Sequence, residues 1–242
     1  MKDVIIKNFT CGYEQKTVFE NFGVTFGQGK INVVLGGSGV GKTTLLNALA
    51  GLKTYEGSIE GCEDGVSYIF QKDRLIPSIS VYKNLDLVLK GIVKDKNERK
   101  SRIEKTAKDL EIFDVLKKLP SEISGGQAQR ASMARALLYP CGVLLLDEPF
   151  KALDVALKNR LIKQFVALQE ESKKTVIFVT HAIDECLLCA DDYFVFSSSP
   201  VEVVLRGNIP SNKSERKLTD QDLDDVRKEL LGAFEQMPNA LQ

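Results

Sequence analysis

The stretch GGSGVGKTT, from Gly36 to Thr44, constrains the chain more than any other. It fits G-x-x-x-x-G-K-[ST] without a mismatch, follows the apolar run INVVL and runs into TLLNALAGL. A chain carrying it must place a buried strand, a tight glycine turn and a helix start in succession. Gly36, Gly39 and Gly41 let backbone N–H groups turn toward a β-phosphate. Lys42 offers a point charge to β and γ oxygens, and Thr43 a hydroxyl to Mg2+.

The rest of the chain supplies a fold for that turn. INVVL, VLLLD and TVIFVT are short continuous apolar runs ending in polar or glycine-containing sequence, the pattern of parallel strands covered on both faces. Helical spacing lies between them. Ile103, Ala107, Leu110 and Phe113 share one predicted face, and Leu157, Leu161, Phe165 and Leu168 another. These features predict an α/β nucleotide-binding core. From about Lys72 to Leu138 no strand is expected, and alternating Lys, Glu and Asp read as the solvated face of a helical insertion. VIIKNFT and GSIEG read as strands of a small antiparallel β layer. Beyond Pro210 the chain is polar, with one weakly amphipathic stretch, and reads as a tail (211–242) too short for another domain. No internal repeat is visible.

Composition narrows the function classes. Lys and Arg together number 33, as do Asp and Glu, so no global basic excess draws the chain onto nucleic acid or an anionic membrane. No apolar run approaches a membrane span, and MKDVIIKNFT lacks the apolar core of a secretion signal. A cytosolic chain is expected. The five cysteines, Cys11, Cys62, Cys141, Cys186 and Cys189, are an odd number in apolar or mixed surroundings, which argues against a disulfide framework. Cys186 and Cys189 form a lone C-x-x-C with no second Cys or His pair nearby, and read as buried reduced thiols.

Other candidates sit where ligands bind in open α/β sheets. GVLLLDEPF delivers Asp147 and Glu148 to a strand end. One carboxylate there can hold a magnesium shell while its neighbour polarises a water for in-line attack on a γ-phosphate. His181, the only histidine in the chain, follows TVIFVT, and its imidazole can donate a hydrogen bond to a γ-phosphate oxygen. Gln71, ending VSYIFQ, is placed to touch magnesium or the attacking water. A second phosphate cradle then stands in ISGGQAQRASMARALL, where Ser124, Gly125, Gly126 and Gln127 head a helix. Because that helix belongs to the insertion, the arrangement predicts completion in trans. Each ATP would lie between one copy's phosphate loop and another copy's SGGQ.

From about Lys2 to Pro210 these motifs resemble the ATP-binding cassette family, the motor subunits of ABC transporters. SGGQ between a phosphate loop and LLLDEP is a specific signature. The resemblance implies a P-loop NTPase, RecA-like core (1–71 and 139–210) with an N-terminal antiparallel β subdomain and an inserted α-helical subdomain (72–138). It implies Tyr13 as the aromatic stacking on adenine with Val18 beside it, and the loop Gly36, Gly37, Ser38, Gly39, Val40, Gly41, Lys42, Thr43 and Thr44 around the phosphates. Gln71 would couple the site to membrane subunits. Asp147 would hold magnesium, with Thr43 and Gln71, while Glu148 would be the catalytic base. Asp154 would contact a second copy and His181 would be the switch histidine.

A narrower resemblance to nitrate, sulfonate, taurine and pyrimidine-precursor importers lies in FQKDRLIPSISVYKNLDL, DEPFKALD and THAIDE. Ser78, Lys151 and Ala182 depart from that group, which usually has tryptophan, a small residue and aspartate there. The resemblance implies a homodimeric ATPase using ATP and Mg2+ beneath a separate permease, fed by a solute-binding protein, on the cytoplasmic face of the membrane. The rival expectations are a non-transport cassette, such as one serving iron-sulfur cluster assembly, and an exporter motor.

Overall fold

The computed structural model describes residues 2–14, 16–151, 153–197 and 200–235. The chain opens with β1 (Val4–Tyr13) and β2 (Lys16–Phe26), then runs through β3 (Ile31–Leu35), α1 (Lys42–Leu49), β4 (Glu56–Glu60) and β5 (Val66–Ile69). Helices α2 (Val81–Lys90), α3 (Lys96–Asp109) and α4 (Gly125–Leu138) follow. After them come β6 (Val143–Asp147), α5 (Val155–Ser172), β7 (Thr175–Thr180), α6 (Ile183–Cys189), β8 (Asp192–Phe196), β9 (Val203–Asn208) and α7 (Asp222–Glu235).

Two sheets result. A three-stranded antiparallel sheet has the order β2-β1-β4, and a six-stranded sheet the order β5-β6-β7-β3-β8-β9. All neighbours in the second sheet are parallel except β8 and β9. The buried strands show why. β3, β6 and β7 are buried at every position, so both faces must be covered. Alternate side chains feed two cores. Leu144, Leu146, Val176 and Phe178 join the helical side, whereas Val143, Leu145, Ile177 and Val179 join the side closed by the antiparallel sheet and α1.

The three helices between β5 and β6 each start on a side-chain cap: Ser80 for α2, Asp95 for α3 and Ser124 for α4. Ile103, Ala107 and Leu110 are buried as their spacing predicts, but Phe113 is 42% exposed. The helix stops at Asp109 and Glu111 takes φ 53°, which swings Phe113 off the shared face into a short 3-10 turn.

Residues 211–235 differ from the expected polar tail. Leu223, Leu230 and Phe234 of α7 are buried in the helical-side core, and Tyr193 Oη donates to Glu229 Oε2 at 2.6 Å. Arg216 is buried, donating to the carbonyls of Leu187, Ala190, Ile209 and Ser211. Its guanidinium fork satisfies carbonyls at the end of α6 that would otherwise be orphaned. The remainder of that expected tail, 236–242, lies outside the described residues.

Candidate active site: a phosphate loop ringed by strand ends

Four adjacent parallel strands, β5, β6, β7 and β3, converge their carboxyl ends on one place. Beyond β3 comes the glycine loop, beyond β6 Glu148, beyond β7 His181, and beyond β5 Gln71. A cavity of about 340 Å3 opens there, lined by Ser38, Gly39, Gly41, Lys42, Thr43 and Thr44 of the loop. Tyr13, Val18, Gln71, Asp147 and Glu148 line it too, with Lys16 and Lys151.

The loop is shaped by glycine where only glycine fits. Gly39 and Gly41 sit at φ 75° and 118°, left-handed backbone that L side chains avoid. A Cβ on Gly41 would meet Val18 Cγ1 at 2.6 Å, so the buried Val18 acts as the floor of the loop. Lys42 is buried, and its Nζ donates to the carbonyls of Gly36 at 2.7 Å and Gly37 at 2.8 Å. Burial pulls its pKa down, opposed by the charges of Glu148 and Asp147. Val40 is buried beneath the loop. Tyr13 is 60% exposed at the end of β1, with its hydroxyl 3.3 Å from Thr44 Oγ1 and Lys53 Nζ 4.0 Å from its ring centre.

The two neighbouring carboxylates have opposite surroundings. Asp147 is buried and accepts from Thr43 Oγ1 at 2.9 Å and from Tyr68 Oη at 3.4 Å. Burial pushes its carboxyl above the ordinary 3.8, and the Thr43 hydrogen bond only partly offsets that. Glu148 sits at φ 47°, a costly conformation for a non-glycine residue that concentrates at functional sites. Its side chain has three partners: Lys151 Nζ at 2.7 Å, His181 Nδ1 at 2.9 Å and Gln71 Nε2 at 3.2 Å. Burial alone would raise Glu148, but Lys151 and then His181 outweigh it and hold the carboxyl below its ordinary 4.5. Adjacent acids whose proton affinities are driven apart are suited to separate roles.

Thr43 Oγ1 and an Asp147 carboxylate oxygen lie 2.9 Å apart, hard oxygen donors that fit Mg2+, and Gln71 lines the same cavity. Among the described residues no group of three or more His, Cys, Asp and Glu could enclose a metal.

Ser124–Gln127 and Asp154 do not line this cavity. Ser124 caps α4 through a reciprocal pair: its Oγ accepts from Gln127 N at 3.3 Å and its N donates to Gln127 Oε1 at 3.0 Å. Asp154 caps α5, accepting from Leu157 N at 3.0 Å. Sequence reasoning missed Lys16 and Tyr68. Tyr68 reaches Asp147 because β5 lies beside the strand carrying that aspartate, a pairing no sequence signal marks. Lys151, visible only as a departure, proves to be an ion-pair partner of Glu148. Cys186 and Cys189 are fully buried, and burial pushes both thiols up.

The ABC transporter family profile matches residues 19–151. The chain belongs to that family. It is an ATPase of the P-loop α/β class. It is 36% identical to an aliphatic sulfonates import ATP-binding protein, SsuB, of Bacillus cereus (strain ATCC 10987 / NRS 248), over 96% of this chain and 94% of that one. The maltose/maltodextrin import ATP-binding protein MalK of Vibrio vulnificus (strain YJ016) is 34% identical over 84% of this chain and 58% of its own length. Among solved structures, the dimeric post-hydrolysis state of the cassette MJ0796 bound to ADP and Pi superposes with a TM-score of 0.76. It is 26% identical, covering 86% of this chain and all of that one. No helix among the described residues is long and apolar enough to cross a membrane.

Proposed function

We propose that the chain is the ATP-hydrolysing motor of an ABC importer. It would act as a homodimer on the cytoplasmic face of a membrane, with a separate permease and a solute-binding protein, and without nucleic acid. The observation that carries the chemistry is Glu148, held by Gln71 and His181 beside the glycine loop. The importer assignment is supported by relatives that carry import in their names across nearly the whole chain. The solute class is of the nitrate, sulfonate, taurine or pyrimidine-precursor type.

In this reading the adenine stacks on Tyr13, beside Val18, while the loop N–H groups from Gly36 to Thr44 receive the phosphates. Lys42 exchanges the carbonyls of Gly36 and Gly37 for β and γ oxygens. Glu148 accepts the proton of the attacking water, and His181 donates to a γ-phosphate oxygen. Thr43, Asp147 and Gln71 would hold Mg2+, which neutralises phosphate charge when bound. The signature Ser124–Gln127 and Asp154 belong to the other copy's site, so two nucleotides close the dimer and hydrolysis reopens it. Residues 72–138 act as a helical subdomain passing that motion to the permease, within one cassette whose core α7 also joins.

The test is purification of the chain from its native membranes in mild detergent, with its partners identified by mass spectrometry. A multi-helix permease is the expected partner; recovery of soluble partners alone overturns the importer reading.

A further inference from the structure

Lys151 is the partner of Glu148 that carries a flexible ammonium and comes from Glu148's own loop. Gln71 and His181 reach Glu148 from the loops that follow β5 and β7. Lys151 instead lies three residues further along the same loop, its backbone N 3.3 Å from the Glu148 carbonyl. Its side chain is 53% exposed whereas that of Glu148 is 14%. A lysine stem carries its ammonium several ångströms about a fixed backbone. The ammonium also faces the cavity, which is lined by three lysines, Lys16, Lys42 and Lys151, against two carboxylates, Asp147 and Glu148.

Lys42 sets the precedent for how cations rest in this cavity. It is held by protein oxygens, the carbonyls of Gly36 and Gly37. Lys151 is held in the same manner by Glu148 Oε2 at 2.7 Å. A terminal phosphate entering beside Glu148 places like charges together, and a further cation between them relieves that repulsion. The same ammonium must release Glu148 Oε2 before that oxygen can accept a proton.

We propose that Lys151 is a second terminal-phosphate lysine of this cavity: it holds Glu148 Oε2 and transfers to the γ-phosphate of a nucleoside triphosphate when one binds. It thereby selects triphosphate over diphosphate and frees Glu148 for the attacking water. This rests on the reading that Lys42 and Glu148 flank the γ-phosphate.

The experiment is calorimetric titration of the full chain with Mg2+ and either the non-hydrolysable triphosphate adenylyl imidodiphosphate or ADP. For Lys151→Ala, loss of one charge-assisted contact is expected to weaken the triphosphate about tenfold. ADP should change by less than about twofold, because it lacks the phosphate that Lys151 contacts. Lys151→Arg, which keeps the charge, should retain most of the preference. Lys42→Ala serves as the control for the underlying reading. Weak binding of both ligands by Lys42→Ala, with an unaltered triphosphate-to-diphosphate ratio in Lys151→Ala, overturns the proposal and leaves that reading standing. Undiminished affinity in Lys42→Ala overturns both.

Discussion

Two helices begin on glycine-rich sequence, and their first turns are built in opposite ways. In α1 no side chain caps the first turn, so its N–H groups are left for an anion. Lys42 and Asp147 are buried next to them. In α4 the first turn is closed on itself by the reciprocal Ser124 and Gln127 hydrogen bonds, and all four signature positions lie toward the surface. The first cradle is therefore complete within one chain, with charge of both signs in place. The second is stable as it stands and has hydrogen-bonding groups to offer only to something that arrives from outside. That asymmetry is what the proposed sharing of a site between two copies would use.

The sharpest way to break the comparison is Lys42→Ala. It removes the buried cation from the α1 cradle and leaves α4 untouched. If the two cradles are unequal in the way described, ATP affinity falls by about 10²-fold or more, the order expected when several charge-assisted contacts are lost together. Calorimetry on the isolated chain reads this directly. An unchanged dissociation constant would remove the phosphate-loop assignment. Ser124→Ala has a smaller effect of a different kind. Loss of the cap should cost about 1 kcal/mol of stability, visible as a lower urea midpoint, while ATP affinity of the isolated chain stays as it was. ATP turnover should nevertheless fall, because the second copy's signature is damaged. Equal turnover with lowered stability would confine Ser124 to capping.

Much of this was legible in the sequence because the forces concerned are local or periodic. INVVL, VLLLD and TVIFVT had to be strands buried on both faces, and so they are. The strand, loop and helix order around Gly36–Thr44 left little choice for the backbone. What was illegible depended on distant partners. The stretch around Leu223, Leu230 and Phe234 shows only a weak apolar face among many charges, and its burial needs the surfaces of α6 and β9, far away in sequence. Arg216 is hydrophilic by type, yet buried because carbonyls converge on it. Phe113 fits a helical spacing, but nothing in the sequence, such as a glycine, signals that Glu111 turns left-handed. In the site, the residue types were readable and their contacts were not. Nothing in DEPFKALD shows that Lys151 folds back onto Glu148 rather than into solvent.

The finest test of the comparison is electrostatic, because only the α1 cradle stores carboxylate charge under burial. The two acids should act on stability with opposite signs. Glu148 is held below its ordinary 4.5, so its ionised form stabilises the fold above that value. The contribution is lost as pH falls through the folded pKa. Asp147 is raised above 3.8, so the fold loses stability as pH rises through its folded pKa, and below the unfolded value the penalty is absent. Glu148→Gln should therefore lower the urea midpoint near neutral pH and lose that effect as pH falls below 4.5 through the folded pKa. Asp147→Asn should raise the midpoint near neutral pH, a gain that likewise fades toward about pH 3, at the expense of function. Two variants one residue apart would then bracket the wild type from opposite sides. If both moved the midpoint in the same direction at neutral pH, the division of roles between the carboxylates would lose its electrostatic basis. The α1 cradle would then be distinguished from the α4 cradle by its backbone alone.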